Sequence, residues 1–233
     1  MQQIHRFPVK SFQGEQLRQA EVGPVGVVGD RRYVFLHRGG REPHLSAKLR
    51  PFLLQYTARY GTDEVEITAP GGTRYNWDEQ LLERIREQSG LDLELYSYPA
   101  DSAVLTAMDD SPLLLATEST LGQLEALMRR SVDMLRFRPN FVIRPLEGQL
   151  PLSEADWIGR IVQIGGVGGV GGVRLEVSHP CERCSMVGVD PGDGSIDPSV
   201  LKQVAAGMDS CFGVYARVLQ PGVVRVDNPV LVE

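Results

Sequence analysis

Cysteine is scarce in this 233-residue chain, with three residues in all: Cys181, Cys184 and Cys211. An odd number that small excludes a disulfide framework. Reduced thiols in the cytoplasm are the simplest expectation. Aromatic residues make up 7%, too few for a platform on which single-stranded nucleic acid would stack. Positive charge is also short. The 30 acidic residues outweigh 24 basic ones, for a net charge of -6, so the chain is a poor general binder of nucleic acid or other polyanions. Long apolar runs are missing, and no membrane span is expected. The start, Met1-Gln2-Gln3-Ile4-His5, has no charged residues leading into an apolar stretch, so no signal peptide is expected. What is present, at 42% hydrophobic and 23% charged, is ordinary globular composition with enough apolar residues for a sizeable core. Any anion the chain holds must be held locally, by a few basic residues gathered at one site.

Short strand-like segments dominate. They include Ile4 to Val9, Val34 to Leu36, Phe52 to Ala58 and Val65 to Thr68, separated by glycine-rich breaks. Later ones are Phe141 to Ile143, Ile161 to Ile164, Arg174 to Val177, Val214 to Leu219 and Val223 to Val226. Helices are fewer. Asp78 to Ser89 carries Leu81, Leu82 and Ile85 on one side and stops at Gly90. Leu121 to Arg130 places Leu121, Leu124, Leu127 and Met128 on one face, with Thr120 and Gln123 fitting a capping box. A third, short helix is expected between Pro198 and Ala206. This pattern predicts a mainly β fold with a few helices (α+β), built as two β-barrel-like modules packed together. A boundary near Ser97–Asp101 divides the chain into 1–97 and 98–233. The tandem Gly-Gly-Val repeat at 165–173 reads as an extended, mobile hairpin loop. It lacks the Lys-Ser/Thr of a phosphate-cradling loop.

The chemistry concentrates in His179-Pro180-Cys181-Glu182-Arg183-Cys184. Two cysteines at this spacing can ligate zinc, exchange as a dithiol, give one thiolate to another metal, or be buried and inert. Structural zinc needs four ligands, and no second paired motif supplies them. A dithiol motif opens a helix, whereas Ser185 to Pro191 looks extended. One soft thiolate on a transition metal, with Arg183 beside the sulfur favouring its ionised form, and two buried, inert cysteines both stay open from the spacing alone. Other segments offer anion contacts: Lys10-Ser11 after a short strand, Arg31 and Arg32 entering another, and Ser46-Ala47-Lys48. Alternation sends only one of Arg31 and Arg32 inward, and Asp30 is placed to orient it. Thr117 and Ser119 stand before a helix, where they either meet an anion or cap. In Arg136-Phe137-Arg138-Pro139-Asn140, Pro139 restrains Arg138 to an extended form. A fixed Arg and the Asn140 amide suit a planar heterocycle. No paired carboxylates and no Ser-His-Asp arrangement stand out.

Taken in order, Pro8-Val9-Lys10-Ser11-x-x-Gly14, Gly29-Asp30-Arg31-Arg32, Arg136-Phe137-Arg138-Pro139-Asn140, Cys181-x-Arg183-Cys184 with Val189-Asp190-Pro191, and Phe212-Gly213-Val214-Tyr215 with Pro221-Gly222 resemble the two-part MOSC family. The resemblance extends over almost the whole chain and is closest to amidoxime-reducing members. It implies an N-terminal β-barrel domain followed by a MOSC domain. It implies that Cys184 is both catalytic and the metal ligand of a molybdenum–molybdopterin cofactor. Lys10, Ser11, Arg31, Ser46, Arg138, Asn140 and Arg183 then fall where the family holds the pterin and its phosphate. Thr117 and Ser119 are further carry-overs. The implied activity is reduction of N-hydroxylated small molecules with electrons from a separate electron-transfer protein, because no iron–sulfur domain follows Glu233. The alternative within the family is a persulfide-bearing sulfur carrier. At the level of the domain the resemblance also carries an association with pyridoxal phosphate. Ser46 and Lys48 stand where Thr and Arg are more usual, which loses a bidentate fork.

Overall fold

The computed structural model describes residues 1–39, 43–62, 64–99, 110–145, 153–166 and 172–233. The first half runs β1 (Gln3–Arg6), β2 (Glu15–Leu17), β3 (Gln19–Gly23), β4 (Gly26–Val27), β5 (Tyr33–His37), β6 (Thr57–Tyr60), β7 (Val65–Thr68), β8 (Arg74–Tyr75), α1 (Glu79–Ser89) and β9 (Leu93–Ser97). The second half runs β10 (Leu113–Thr117), α2 (Glu118–Met128), β11 (Phe141–Ile143), β12 (Ile161–Ile164), β13 (Val173–Glu182), α3 (Pro198–Gly207), β14 (Cys211–Gln220), β15 (Gly222–Arg225) and β16 (Val230–Val232). The fold is mainly β with three α-helices among the described residues, as expected.

An eight-stranded sheet, curled into a half-barrel, is ordered β16-β12-β13-β14-β10-β11-β1-β2. Its one parallel pair is β10 with β11. Parallel neighbours need a crossover, and α2 lies on the connection. The strands at one end, β1 and β2, come from the start of the chain, and β3 pairs with β15 from its end. That pair belongs to a separate three-stranded sheet, β15-β3-β4, while β16 ties the end of the chain into the large sheet beside β12. One face buries Trp157, Leu175, Val177, Val214 and Phe141 as a continuous apolar layer. The β5–β9 pair and the β6-β7-β8 sheet enclose a second core of Phe12, Phe35, Tyr56, Leu81 and Ile85. A third cluster, Leu124, Phe137, Val200, Val204 and Phe212, sits under α2 and α3.

Several boundaries differ from the sequence reading. Phe52 to Ala58 is not one strand. Pro51, with its φ fixed for a helical start, opens a 3-10 turn over Pro51–Gln55, and β6 begins only at Thr57. Helix α2 starts three residues earlier than expected. Thr117 caps it by accepting from the Thr120 N–H, so the Thr120–Gln123 capping box does not form. Leu127 is 45% exposed rather than packed. Helix α1 matches closely: Asp78 caps it and Gly90 ends it at φ 68°. Of the Gly-Gly-Val repeat, residues 167–171 lie outside the described residues, as do residues 100 and 101 of the boundary region.

Candidate functional site

Strand β13 does not keep strict alternation. Its pairing with β14 shifts register between Val177 and His179 and again between Pro180 and Glu182. Such irregularities re-aim side chains. As a result His179, Pro180, Cys181, Glu182, Arg183 and Cys184 all border one cavity of about 390 Å³, where alternation would have turned half of them away. Beyond the strand, Ser185–Gly188 is a 3-10 turn with Cys184 as its N-cap residue. The sequence reading expected extended chain there. Val187 decides otherwise. It is fully buried in the third cluster, and its N–H meets the Cys184 carbonyl at 3.2 Å. Arg136 braces the turn from below, donating to the Val187 carbonyl at 3.3 Å and pairing with the Asp190 carboxylate. Cys184 is half-buried in the cavity wall, whereas Cys181 is 1% exposed.

Opposite the thiol stand cations from distant stretches of chain. Lys10, Arg31, Lys48, Arg138 and Arg183 face the cavity, against two carboxylates, Asp110 and Glu182. Among the described residues seven non-glycine residues have positive φ, and three of them belong to this wall: Ser11 at 68°, Arg31 at 49° and Arg138 at 55°. That geometry costs roughly 1–2 kcal/mol per residue, and strain of this kind gathers at functional sites. Arg138 is thus left-handed, not extended as Pro139 led us to expect. Its guanidinium is held by the Phe12 carbonyl at 2.6 Å and lies 4.2 Å from the centre of the Phe7 ring. Arg31 turns inward and is paired with Asp30, as expected, while Arg32 turns away to the Tyr98 carbonyl at 2.6 Å. The Ser11 hydroxyl accepts from the Ala47 N–H at 2.9 Å, joining two cavity-wall loops. Ser46 borders the same space.

Some expected contacts fall elsewhere. Thr117 is fully buried, and its hydroxyl donates to Glu154 at 2.6 Å. Thr117 and Ser119 lie outside the cavity lining, which leaves Thr117 its capping role. Asn140 borders the cavity but its amide is engaged by the protein. It donates to Asp30 at 3.0 Å and accepts from the Leu114 N–H at 3.2 Å, so it braces the carboxylate that holds Arg31. Arg183 does not sit on Cys184. It turns back to Cys181, with Nη1 at 2.7 Å from Sγ, and to the Phe137 carbonyl at 2.9 Å. Burial pushes the Tyr215 hydroxyl well above its usual range, and the adjacent Cys181 sulfur adds to this. The sequence reading quoted His179 and Tyr215 within motifs without giving either a role, and it passed over Asp110. They reach the cavity only through strand pairing and the bulges.

Among the described residues no three His, Cys, Asp or Glu side chains converge on one point. A closed zinc site is therefore not formed there, and a metal at Cys184 must bring most of its own ligands. A single half-buried sulfur in a basic, roomy wall suits that demand. One further donor, Nε of Arg183, is buried without a hydrogen-bond partner. A soft-metal cofactor carrying anionic groups fits this donor set.

Comparison with known proteins agrees with the fold. A family model described as MOSC domain matches residues 102–231, and one described as MOSC N-terminal beta barrel domain matches residues 1–106. Mitochondrial amidoxime-reducing component 1 of Mus musculus is 31% identical over 98% of this chain and 80% of its own length. The molybdenum cofactor sulfurase of Caenorhabditis elegans is 31% identical over 51% of this chain and 16% of its own length. The chain spans less than half the length of several other curated relatives. The crystal structure of the YUAD protein from Bacillus subtilis superimposes with a TM-score of 0.50 over 99% of this chain and 93% of that one, at 12% identity. No helix among the described residues is long and apolar enough to cross a membrane. With both family models matched in order and a relative above 30% identity along nearly its whole length, this chain belongs to the MOSC family.

Proposed function

We propose that this chain binds a molybdenum–molybdopterin cofactor through Cys184 and reduces N-hydroxylated small molecules, taking electrons from a separate electron-transfer protein. One observation carries the reading: the Cys184 thiol opens into a cavity of about 390 Å³ whose walls bring five cations together in a chain of net charge -6. Lys10, Ser11, Arg31, Ser46, Arg138 and Arg183 would hold the anionic part of the cofactor, with Asn140 bracing Arg31 through Asp30. When bound, the cofactor supplies the two-electron chemistry that removes oxygen from an N–O group. The protein's own share is binding and orientation. Arg31 and Arg138 are preset by their backbone and their partners, so little side-chain freedom is lost on binding. Cys184 is preset by the braced turn that follows it.

The name of the sulfurase relative supports a second reading, in which Cys184 bears a persulfide and the chain carries sulfur. The reading as a reductase also places the protein in a reducing compartment such as the cytoplasm, where its three thiols stay free. Expression in a host that makes the cofactor, followed by elemental analysis and mass spectrometry of Cys184, separates the two. Stoichiometric molybdenum and turnover of an N-hydroxylated amidine support the reductase. A sulfur adduct on Cys184 without metal overturns it in favour of the carrier.

A further inference from the structure

We propose that His179, held by Asp110, is the acid that protonates the departing oxygen in the reduction proposed above, a reading on which this inference rests. Nε2 of His179 lies 3.0 Å from Oδ2 of Asp110. The imidazole packs against the Tyr215 ring at a centroid distance of 5.2 Å. All three side chains border the cavity that holds Cys184. His179 is partly open, with 42% of its side chain exposed, so it can exchange protons with solvent between turnovers.

Reduction of an N-hydroxylated compound breaks the N–O bond with two electrons and two protons. The electrons come from the separate electron-transfer protein. One proton joins the departing hydroxyl to make water, and the other completes the N–H of the product. A proton donor positioned in the cavity would speed the departure of that oxygen. The arginines do not release theirs, and the ammonium groups of Lys10 and Lys48 belong to a side-chain type that is a weaker acid than an imidazolium. Burial holds the proton of Tyr215 in place. Cys184 is committed to the metal in this reading, and Asp110 and Glu182 are ordinarily acceptors at neutral pH. His179 is the one imidazole among the lining residues, and a carboxylate holds it.

The contact to Asp110 uses Nε2 and fixes the ring's orientation and tautomer, as a carboxylate does in other acid–base pairs. Nδ1 is then the nitrogen that carries the transferable proton. It passes to the departing hydroxyl, the ring is left neutral, and water restores it. The proton for the product nitrogen also comes from water. One of the register shifts of β13 against β14 falls between Val177 and His179. It places the imidazole on the same wall as Cys184.

The test uses holoenzyme from a cofactor-competent host, with His179→Ala and Asp110→Asn variants. His179→Ala should lower kcat about 100-fold, the usual contribution of a positioned acid. KM and molybdenum content should stay near wild type, and free imidazole in the buffer should restore a clear part of the lost rate. In metal-free protein, nitrogen-15 shifts should show the neutral His179 ring protonated at Nε2, and Asp110→Asn should abolish that preference. Unchanged kcat in His179→Ala overturns the inference while the reductase reading stands. So does a loss that imidazole does not rescue in protein with full molybdenum. If wild-type holoenzyme reduces no N-hydroxylated compound, the reductase reading falls and this inference falls with it.

Discussion

Two cavities of similar size meet at Pro180, and each contains a half-buried cysteine. The first, about 390 Å³, has Cys184 facing five cations and two carboxylates. The second, about 330 Å³, has Cys211 beside Glu154 and Asp209 and no Lys or Arg in its lining. Burial pushes the Cys211 thiol up, and Cys181, Glu182 and Asp209 push the same way. Size and a sulfur are thus common to both, and electrostatics separates them. An acidic chain gains a local anion site by drawing cations from many loops to one wall, and it leaves the second wall without any. The sharpest way to break the comparison is to remove each sulfur in turn. Cys184→Ser should cut molybdenum content and reductase rate by more than about 100-fold, since even groups that only orient a metal ligand are worth 10–100-fold. Cys211→Ser should leave both within about twofold, being a near-isosteric change at a half-buried position outside the cationic cavity. Elemental analysis and turnover on the two purified variants decide it. Equal loss in both would erase the distinction.

Backbone strain sharpens the same contrast at smaller scale. Arg31 and Arg129 share a left-handed backbone, at φ 49° and 55°. Arg129 is exposed at the end of α2, where glycine is the preferred residue. Arg129→Gly should raise stability by about 1 kcal/mol and leave cofactor content unchanged. Arg31→Gly relieves the same strain but strips the guanidinium from Asp30, whose side chain is fully buried. Breaking a buried pair costs about 3–5 kcal/mol, so a net loss of about 2 kcal/mol is expected, together with weaker cofactor retention. Urea unfolding of the metal-free chains gives the stabilities, and elemental analysis gives the retention. A stabilised Arg31→Gly would mean that its strain serves no pairing.

Much of this was legible in the residues, for identifiable reasons. Strands with β-branched runs, such as Val65–Thr68 and Phe141–Ile143, appeared where their composition placed them. Helix α1 was bounded by an acidic cap and a glycine, both local signals. The cations Lys10, Arg31, Arg138 and Arg183 were chosen by motif and do share a wall. What stayed hidden was non-local. The approach of Asp110 to His179 spans 69 positions, and no local pattern encodes it. Arg183 was expected at Cys184 because they are adjacent, yet two bulges turned its guanidinium to Cys181. Ser185–Gly188 was read as extended, but burial of Val187 set its backbone. Thr117 offered cap and ligand readings together, and Glu154, 37 residues away, tipped it to the cap side.

The smallest effect expected lies in the acidic cavity. Glu154 is 2% exposed and accepts from the hydroxyls of Thr117 and Thr120. Burial raises its carboxyl above the ordinary value, and the two hydroxyl bonds only partly oppose this. The folded chain therefore keeps a proton that the unfolded chain releases at ordinary carboxyl pH. Stability from this group is complete below the unfolded value of about 4.5 and declines as pH rises through the higher folded value. The slope in that window is at most about 1.4 kcal/mol per pH unit for one proton. Glu154→Gln keeps an oxygen for both threonines and cannot ionise, so its unfolding free energy should lose that decline while cofactor content stays unchanged. Denaturant titrations from pH 4 to 8 on wild type and variant measure the difference. An unaltered slope would assign the titration to another group, and a fall in molybdenum would show that the two cavities are coupled through Pro180 rather than independent.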